Sequence, residues 1–151
     1  MNKTNFTSED KKFMQLAIDL SIENVAGGGG PFGAVIVRNG EVIATGTNRV
    51  TASCDPTAHA EMIAITAATE AMGGKYLNDC TLYVTVEPCV MCAGAIAWSQ
   101  MGRLVFGASD EKRGYRRYAP DALHPRTEVV SGILEEECAS LMKDFFKGKR
   151  K

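Results

Sequence analysis

His59-Ala60-Glu61 and, downstream, Pro88-Cys89-Val90-Met91-Cys92 are the residues of this sequence best suited to chemistry. The first stretch offers an imidazole with a carboxylate two residues on. The second offers two thiols spaced i and i+3, which project from one face of a helical turn. His and Cys donors together select zinc over magnesium or calcium. Three protein ligands, His59, Cys89 and Cys92, leave a fourth tetrahedral position for water, the arrangement of a catalytic zinc site rather than a closed structural one. The Glu61 carboxylate is then free to move protons. Asp55-Pro56 reads as an N-cap followed by proline at the first helical position, which puts His59 and Glu61 in or near the first turn of a helix. Pro88 does the same for Cys89 and Cys92. At such helix starts, unpaired N–H groups and the positive end of the macrodipole favour thiolate and hydroxide.

Each half taken alone has a plainer reading. Cys-x-x-Cys can be a redox pair, and a His that opens a helix is more often a surface or capping residue than a ligand. Their order on two helix starts argues for one shared metal. A closed structural site would take a fourth ligand from Cys54, Cys80 or His124. Such a site has no use for a free carboxylate beside it, so Glu61 favours the open one.

These residues sit in a chain of 151 residues with 45% hydrophobic content, which suits a single domain spanning 1–151. A domain of that size buries roughly two-thirds of its unfolded surface and needs no staple. No apolar run approaches the roughly 20 residues of a membrane span, and residues 1–5 lack a signal-peptide core, so a cytoplasmic location is expected. Two of the five cysteines are claimed by the metal, and the odd remainder, Cys54, Cys80 and Cys138, gives no disulfide framework. Cys80 and Cys138 read as small core residues, Cys54 as an exposed loop residue. The net charge of −1 is unevenly spread: residues 1–102 carry six basic and ten acidic groups, residues 103–151 eleven and eight. The last nine residues hold five cations against one anion, either a solvated end or a contact for phosphates.

The elements that must position the motifs follow from periodicity. Thr7 and Asp10 form a capping box, followed by Phe13, Leu16, Ala17 and Leu20 on one helical face. Gly27 to Gly30 end that helix. Ala34 to Val37, the turn Asn39-Gly40, and Val42 to Ala44 make a β-hairpin. A loop from about Asn48 to Asp55 precedes a helix from Pro56 to about Met72, stopped by Gly73-Gly74. A buried strand, Thr81 to Val86, delivers Glu87-Pro88-Cys89 at its C-terminal end, and an Ala- and Gly-rich helix runs on to about Gln100. Arg103 to Gly107 and Glu128 to Ser131 are further strands, separated by a long segment with little pattern, and Glu135 to Lys147 is the last helix. The alternation predicts an α/β fold, a three-layer α/β/α sandwich around a mixed five-stranded sheet, with the metal at strand ends and helix starts.

The order H-x-E then P-C-x-x-C is the signature of zinc-dependent nucleobase deaminases. Throughout its length the chain resembles the cytidine deaminase superfamily, and within it the bacterial tRNA adenosine deaminases. The resemblance is carried by Pro31-x-Gly33-Ala34-Val35, Asn48, Asp55 to Glu61, Leu82 to Ala95, Val105-Phe106-Gly107-Ala108-x-Asp110, and Glu136-Glu137-Cys138 through Phe145-Phe146. It implies a cytidine deaminase-like fold, one zinc ion per chain on His59, Cys89 and Cys92, and Glu61 as proton shuttle. It further implies that Asn48 and the Ala60 backbone hold the flipped base, and that Asp110 lies beside the anticodon-loop backbone. The implied reaction is adenosine to inosine at the wobble position of a tRNA, with ammonia released and a homodimer presenting the anticodon loop to each site.

Three segments depart from that pattern. Gly27 to Gly33 and the loop 48–56 look more like bacterial guanine deaminases, with Phe32 in place of a small aliphatic residue at the substrate pocket. Gly114-Tyr115-Arg116-Arg117-Tyr118 replaces a Gly- and Ser-rich segment. The C-terminal half lacks the aromatic arm by which guanine deaminases close over a free base, and it favours tRNA. A free purine base, chiefly guanine, is the alternative substrate within the superfamily, cytosine a lesser one, and a non-enzymatic zinc-stabilised RNA-binding module the alternative outside it. For RNA, Tyr115, Arg116 and Arg117 combine charge with rings on which unstacked bases can lie, joined by Phe145, Phe146, Lys147, Lys149 and Arg150 near the end of the chain. The plainer reading of the same segment packs the Tyr pair on the core and leaves the Arg pair solvated.

Overall fold

Thr7 and Asp10 start the first long helix by the reciprocal capping expected of them: each backbone N–H donates to the other's side-chain oxygen at 3.1 Å. The computed structural model describes residues 2–3 and 7–149. Its strands are β1 (Asn2–Lys3), β2 (Gly33–Arg38), β3 (Glu41–Thr47), β4 (Cys80–Val86), β5 (Arg103–Ala108) and β6 (Glu128–Ser131). Its helices are α1 (Ser8–Ala26), α2 (Val50–Ser53), α3 (Ala60–Met72), α4 (Val90–Trp98), α5 (Tyr115–Tyr118) and α6 (Glu135–Lys149). The β2–β3 hairpin turns through Asn39 and Gly40, both with positive φ (51° and 76°), as a type I′ turn requires.

The sheet has the order β1-β6-β5-β4-β2-β3. Strands β4, β5, β6 and β1 run parallel, while β2 is antiparallel to both β4 and β3. The mixed five-stranded sheet is therefore present, and the two-residue β1 extends it at one edge. Alternation along the strands sends side chains to two cores. Val35, Val37, Tyr83, Val105 and Val130 meet Phe13, Met14, Ala17 and Ile18 of α1 and Cys138 of α6. Ala34, Ile36, Leu82, Val84, Leu104 and Phe106 meet Ala60, Ala64 and Ala68 of α3, Ala93 and Ile96 of α4, and Tyr115 of α5. Two helical layers thus enclose the sheet. Cys80 and Cys138 are buried in these cores and Cys54 is exposed.

One buried ionic cluster fixes α1 on the sheet. Asp10 is 1% exposed and accepts from Tyr83 Oη at 2.6 Å and from both terminal nitrogens of Arg103 at 2.6 and 2.8 Å. Burial raises the Asp10 carboxyl, but the hydrogen bonds from Arg103, Tyr83 and Thr7 outweigh it and hold it at about 2.

The helix starts differ from the sequence expectation. Asp55 does not cap a helix: its Oδ1 accepts from the Thr57 N–H at 2.8 Å and the Thr57 hydroxyl at 2.7 Å, closing a local Asx turn. The helix begins at Ala60 instead of Pro56, with His59 as N-cap, and α4 begins at Val90 with Cys89 as N-cap. Short helices α2 and α5 lie inside the two segments expected to be irregular.

Candidate functional site

Both helix starts point to the same place, because α3 and α4 pack side by side on one face of the sheet and carry His59 and Cys89 at their N-caps. Extended backbone at His59 (φ −71°, ψ 156°) and Cys89 (φ −74°, ψ 175°) turns each side chain out of its helix axis. Gly46 of β3 lets α3 come this close, since a Cβ there would collide with the Ala60 carbonyl.

The ligand geometry fits zinc. Bonds of about 2.3 Å to sulfur and 2.0–2.1 Å to nitrogen at tetrahedral angles place S and N about 3.5–3.6 Å apart. His59 Nδ1 lies 3.6 Å from Cys89 Sγ and 3.5 Å from Cys92 Sγ. Among the described residues, no other group of His, Cys, Asp and Glu meets the geometry of a metal site, so neither Cys54, Cys80 nor His124 closes this one. The Cys92 thiol, together with the backbone N–H groups of Met91 and Cys92 and the charge of His59, holds the Cys89 thiol down at about 5 against the cost of its burial.

Glu61 is 6% exposed and lies beside this trio. Burial pushes its carboxyl up to about 7. Above it opens a cavity of about 630 Å³ lined by Phe32, Asn48, Ala60 and Asp110 together with His59, Glu61 and Cys89. All four residues expected to hold substrate therefore line the same cavity as His59 and Cys89. Phe146 also lines it, at 46% exposure, with Phe145 edge-on at 5.2 Å between ring centroids. Five lining residues escaped the sequence reading as cavity residues: Val86, Glu87, Lys112, Arg113 and Met142. The Lys112-Arg113 pair just after Asp110 was the visible signal for two of them.

Glu87 explains how the rim is held. Its buried carboxylate accepts from the backbone N–H groups of Asp110 and Arg116, each at 3.1 Å, and from the Arg116 guanidinium at 3.0 Å. Burial raises this carboxyl, but these donors outweigh it and leave it below the usual range. Asp110 in turn accepts from the N–H groups of Lys112 and Arg113 at 3.1 and 3.0 Å. The two cations are exposed at the mouth of the cavity.

The Tyr115 to Tyr118 segment follows neither sequence reading as a unit. Tyr115 is 3% exposed, packed in the core, so its ring is closed to a base. Arg116 is held by Glu87 and Ser109 and lies 4.9 Å from the Phe106 ring centroid. Arg117 and Tyr118 face solvent, with Arg117 5.6 Å from the Tyr118 ring centroid. Tyr115 opens α5 against the core, whereas Tyr118, at the last residue of that four-residue helix, donates its hydroxyl to the Lys112 carbonyl at 2.9 Å on the exposed side of the segment. Lys147 is exposed, whereas the Lys149 side chain and Arg150 lie outside the described residues.

Residues 7–108 match the family described as the cytidine and deoxycytidylate deaminase zinc-binding region. A tRNA-specific adenosine deaminase of Bacillus subtilis (strain 168) is 41% identical over 149 residues, covering 95% of this chain and 92% of its own. A solved structure from studies of A-to-I editing by tRNA:A34 deaminases at the wobble position superposes with a TM-score of 0.80 at 40% identity, over 86% of this chain and 98% of that one. A guanine deaminase from Bacillus subtilis superposes with a TM-score of 0.65 at 42% identity, over 79% of this chain and 72% of that one.

Proposed function

The chain belongs to the cytidine and deoxycytidylate deaminase family, and from that premise we propose that it converts adenosine to inosine at the wobble position of a tRNA, releasing ammonia. One observation carries the choice of substrate. The cavity over His59, Cys89 and Cys92 is rimmed by the exposed cations Lys112 and Arg113, which suit the phosphates on either side of a flipped nucleotide better than a neutral free base. Near full-length similarity to a tRNA-specific adenosine deaminase supports the same reading.

Zinc on His59, Cys89 and Cys92 supplies a water activated for attack at neutral pH. The chain's own residues do the rest. Glu61, buried beside the ligands, would carry two protons in turn: the first from the attacking water to the ring nitrogen as the C–O bond forms, the second from the hydroxyl so placed on the ring carbon to the amino group, which leaves as ammonia when the C–N bond breaks. Asn48 and the Ala60 backbone orient the base, and Phe32 and Phe146 provide its apolar walls. Burial of Glu61 keeps bulk water from short-circuiting the transfer.

The reading includes a homodimer. The outer face of α4 leaves Val90, Met91 and Trp98 at 41%, 37% and 85% exposure, an apolar stripe of the kind a second copy covers. The reading also includes a cytoplasmic location, which a tRNA substrate supports. Free guanine is the second reading, supported by Phe32 in the cavity wall and by the likeness to a guanine deaminase. Ammonia release from anticodon stem-loops, compared with guanine, adenine, cytosine and cytidine, separates the two. Turnover of an adenosine-bearing stem-loop well above all free bases is the expected result, and guanine as the far better substrate would replace the RNA reading.

A further inference from the structure

The hairpin that carries Phe32 and Asn48 ends at its last pair, Gly33 with Thr47. Beyond that rung the two strands have no further pairing with each other, yet the next residue on each side, Phe32 and Asn48, lines the cavity. Asn24, near the end of α1, closes this open end. Its Nδ2 donates to the Gly30 carbonyl at 3.0 Å and to the Asn48 carbonyl at 2.9 Å, bridging the two segments in place of the missing rung.

The run Gly27 to Gly30 is shaped around that side chain. The Gly29 N–H donates to the Asn24 carbonyl at 2.8 Å, and a Cβ at Gly29 would fall on the Asn24 amide. Gly28 has φ of +98°, a conformation that favours glycine, and a Cβ at Gly30 would approach Asn48 Cγ to 3.3 Å. Three of the four glycines therefore answer to one requirement, that the loop wrap Asn24 and lie against Asn48.

We propose that Asn24 is a positioning residue for the substrate cavity: by holding the Gly30 and Asn48 carbonyls together it sets the separation of the Phe32 and Asn48 walls between which the base enters. The proposal rests on the reading that these walls contact the base. It assigns Asn24 to binding geometry and not to the metal or proton transfer, which belong to α3 and α4.

The near-isosteric Asn24→Asp tests it, because a carboxylate oxygen would then face two carbonyl oxygens. On the parent's best substrate from the ammonia-release panel, KM should rise about tenfold while kcat changes less than about threefold, with zinc content unchanged. Gly29→Ala provides a second route, since its methyl would displace the Asn24 amide and raise KM in the parent. In an Asn24→Ala background that space is empty and the same change should add nothing, a non-additivity that a double-mutant cycle reads directly. A merely structural Asn24 would lower Tm and leave KM in place. KM of Asn24→Asp within twofold of the parent, or additive effects in the cycle, overturns the proposal. If the panel shows guanine as the better substrate, the RNA reading fails while the Asn24 test proceeds unchanged on guanine.

Discussion

Glu61 and the three ligands occupy one small volume but have separable duties, and substitution can part them. Under the proposed mechanism, Glu61→Gln removes the proton route and leaves His59, Cys89 and Cys92 in place. Turnover should fall by about 10²–10⁴ or more, since one residue serves several transfers, while elemental analysis still finds one zinc per chain. A rate within tenfold of the parent would remove Glu61 from this role. Cys89→Ser should instead lose the metal and the activity together, because the site is left with two strong ligands. These four residues were legible in the sequence because each motif is shorter than one helical turn, so local spacing fixes their geometry. Lys112, Arg113 and Met142 were not. Their arrival at the cavity depends on the Asp110 turn and on where α6 lies, which no local pattern encodes. Tyr115 and Tyr118 illustrate the same limit: residue type announces a ring suited either to stacking or to the core, and only packing decides, burying Tyr115 and leaving Tyr118 exposed.

At the level of elements, strands and helices followed their periodicity, while the helix starts moved because local side-chain chemistry competed for the caps. Asp55 looked like an N-cap and spends its carboxylate on Thr57 instead, which shifts α3 to begin at Ala60 and makes His59 itself the cap. Position of α1 depends on a contact that the sequence did not disclose, Asp10 with Arg103 and Tyr83, between residues 93 and 73 positions apart. That contact has a pH signature. The folded Asp10 carboxyl sits at about 2, below its ordinary 3.8, so its contribution is complete above about pH 4 and is lost as pH falls towards 2. The size is roughly 2 kcal/mol at neutral pH. Urea unfolding of the parent should show this loss in acid, and Asp10→Asn should be less stable at pH 7 with a flatter profile below pH 4. Equal slopes for parent and variant in that window would exclude Asp10 as the titrating group. Glu87 plays the corresponding part at the other end of β4, where one carboxylate holds the rim segment 109–116.

Across the whole molecule, charge and apolar surface are sorted to different places. The apolar stripe Val90, Met91 and Trp98 lies on the outer face of α4, whose first turn carries the zinc ligand Cys92. If the proposed homodimer forms through this stripe, the parent should sediment as a dimer and Trp98→Glu as a monomer; a monomeric parent would remove the dimer from the reading, and an unchanged dimer would place the interface elsewhere. The excess of basic residues in 103–151 reaches the cavity mouth through Lys112 and Arg113, whereas Arg116 is held against Glu87 and serves the fold. Neutralising Arg116 would thus confound RNA affinity with loop structure, and the informative changes are at the free rim. If a tRNA anticodon loop crosses this mouth, log affinity falls with log salt by about 0.7 for each single-strand phosphate contact. Lys112→Ala with Arg113→Ala should reduce that slope by roughly 1.4, two such contacts, without changing zinc content or Tm. Deamination of free guanine, which carries no phosphate, should show almost no salt dependence in either protein. A slope on the anticodon stem-loop that is the same with and without the two cations would take the phosphate path away from Asp110 and its turn, and with it the observation that favours RNA over a free base.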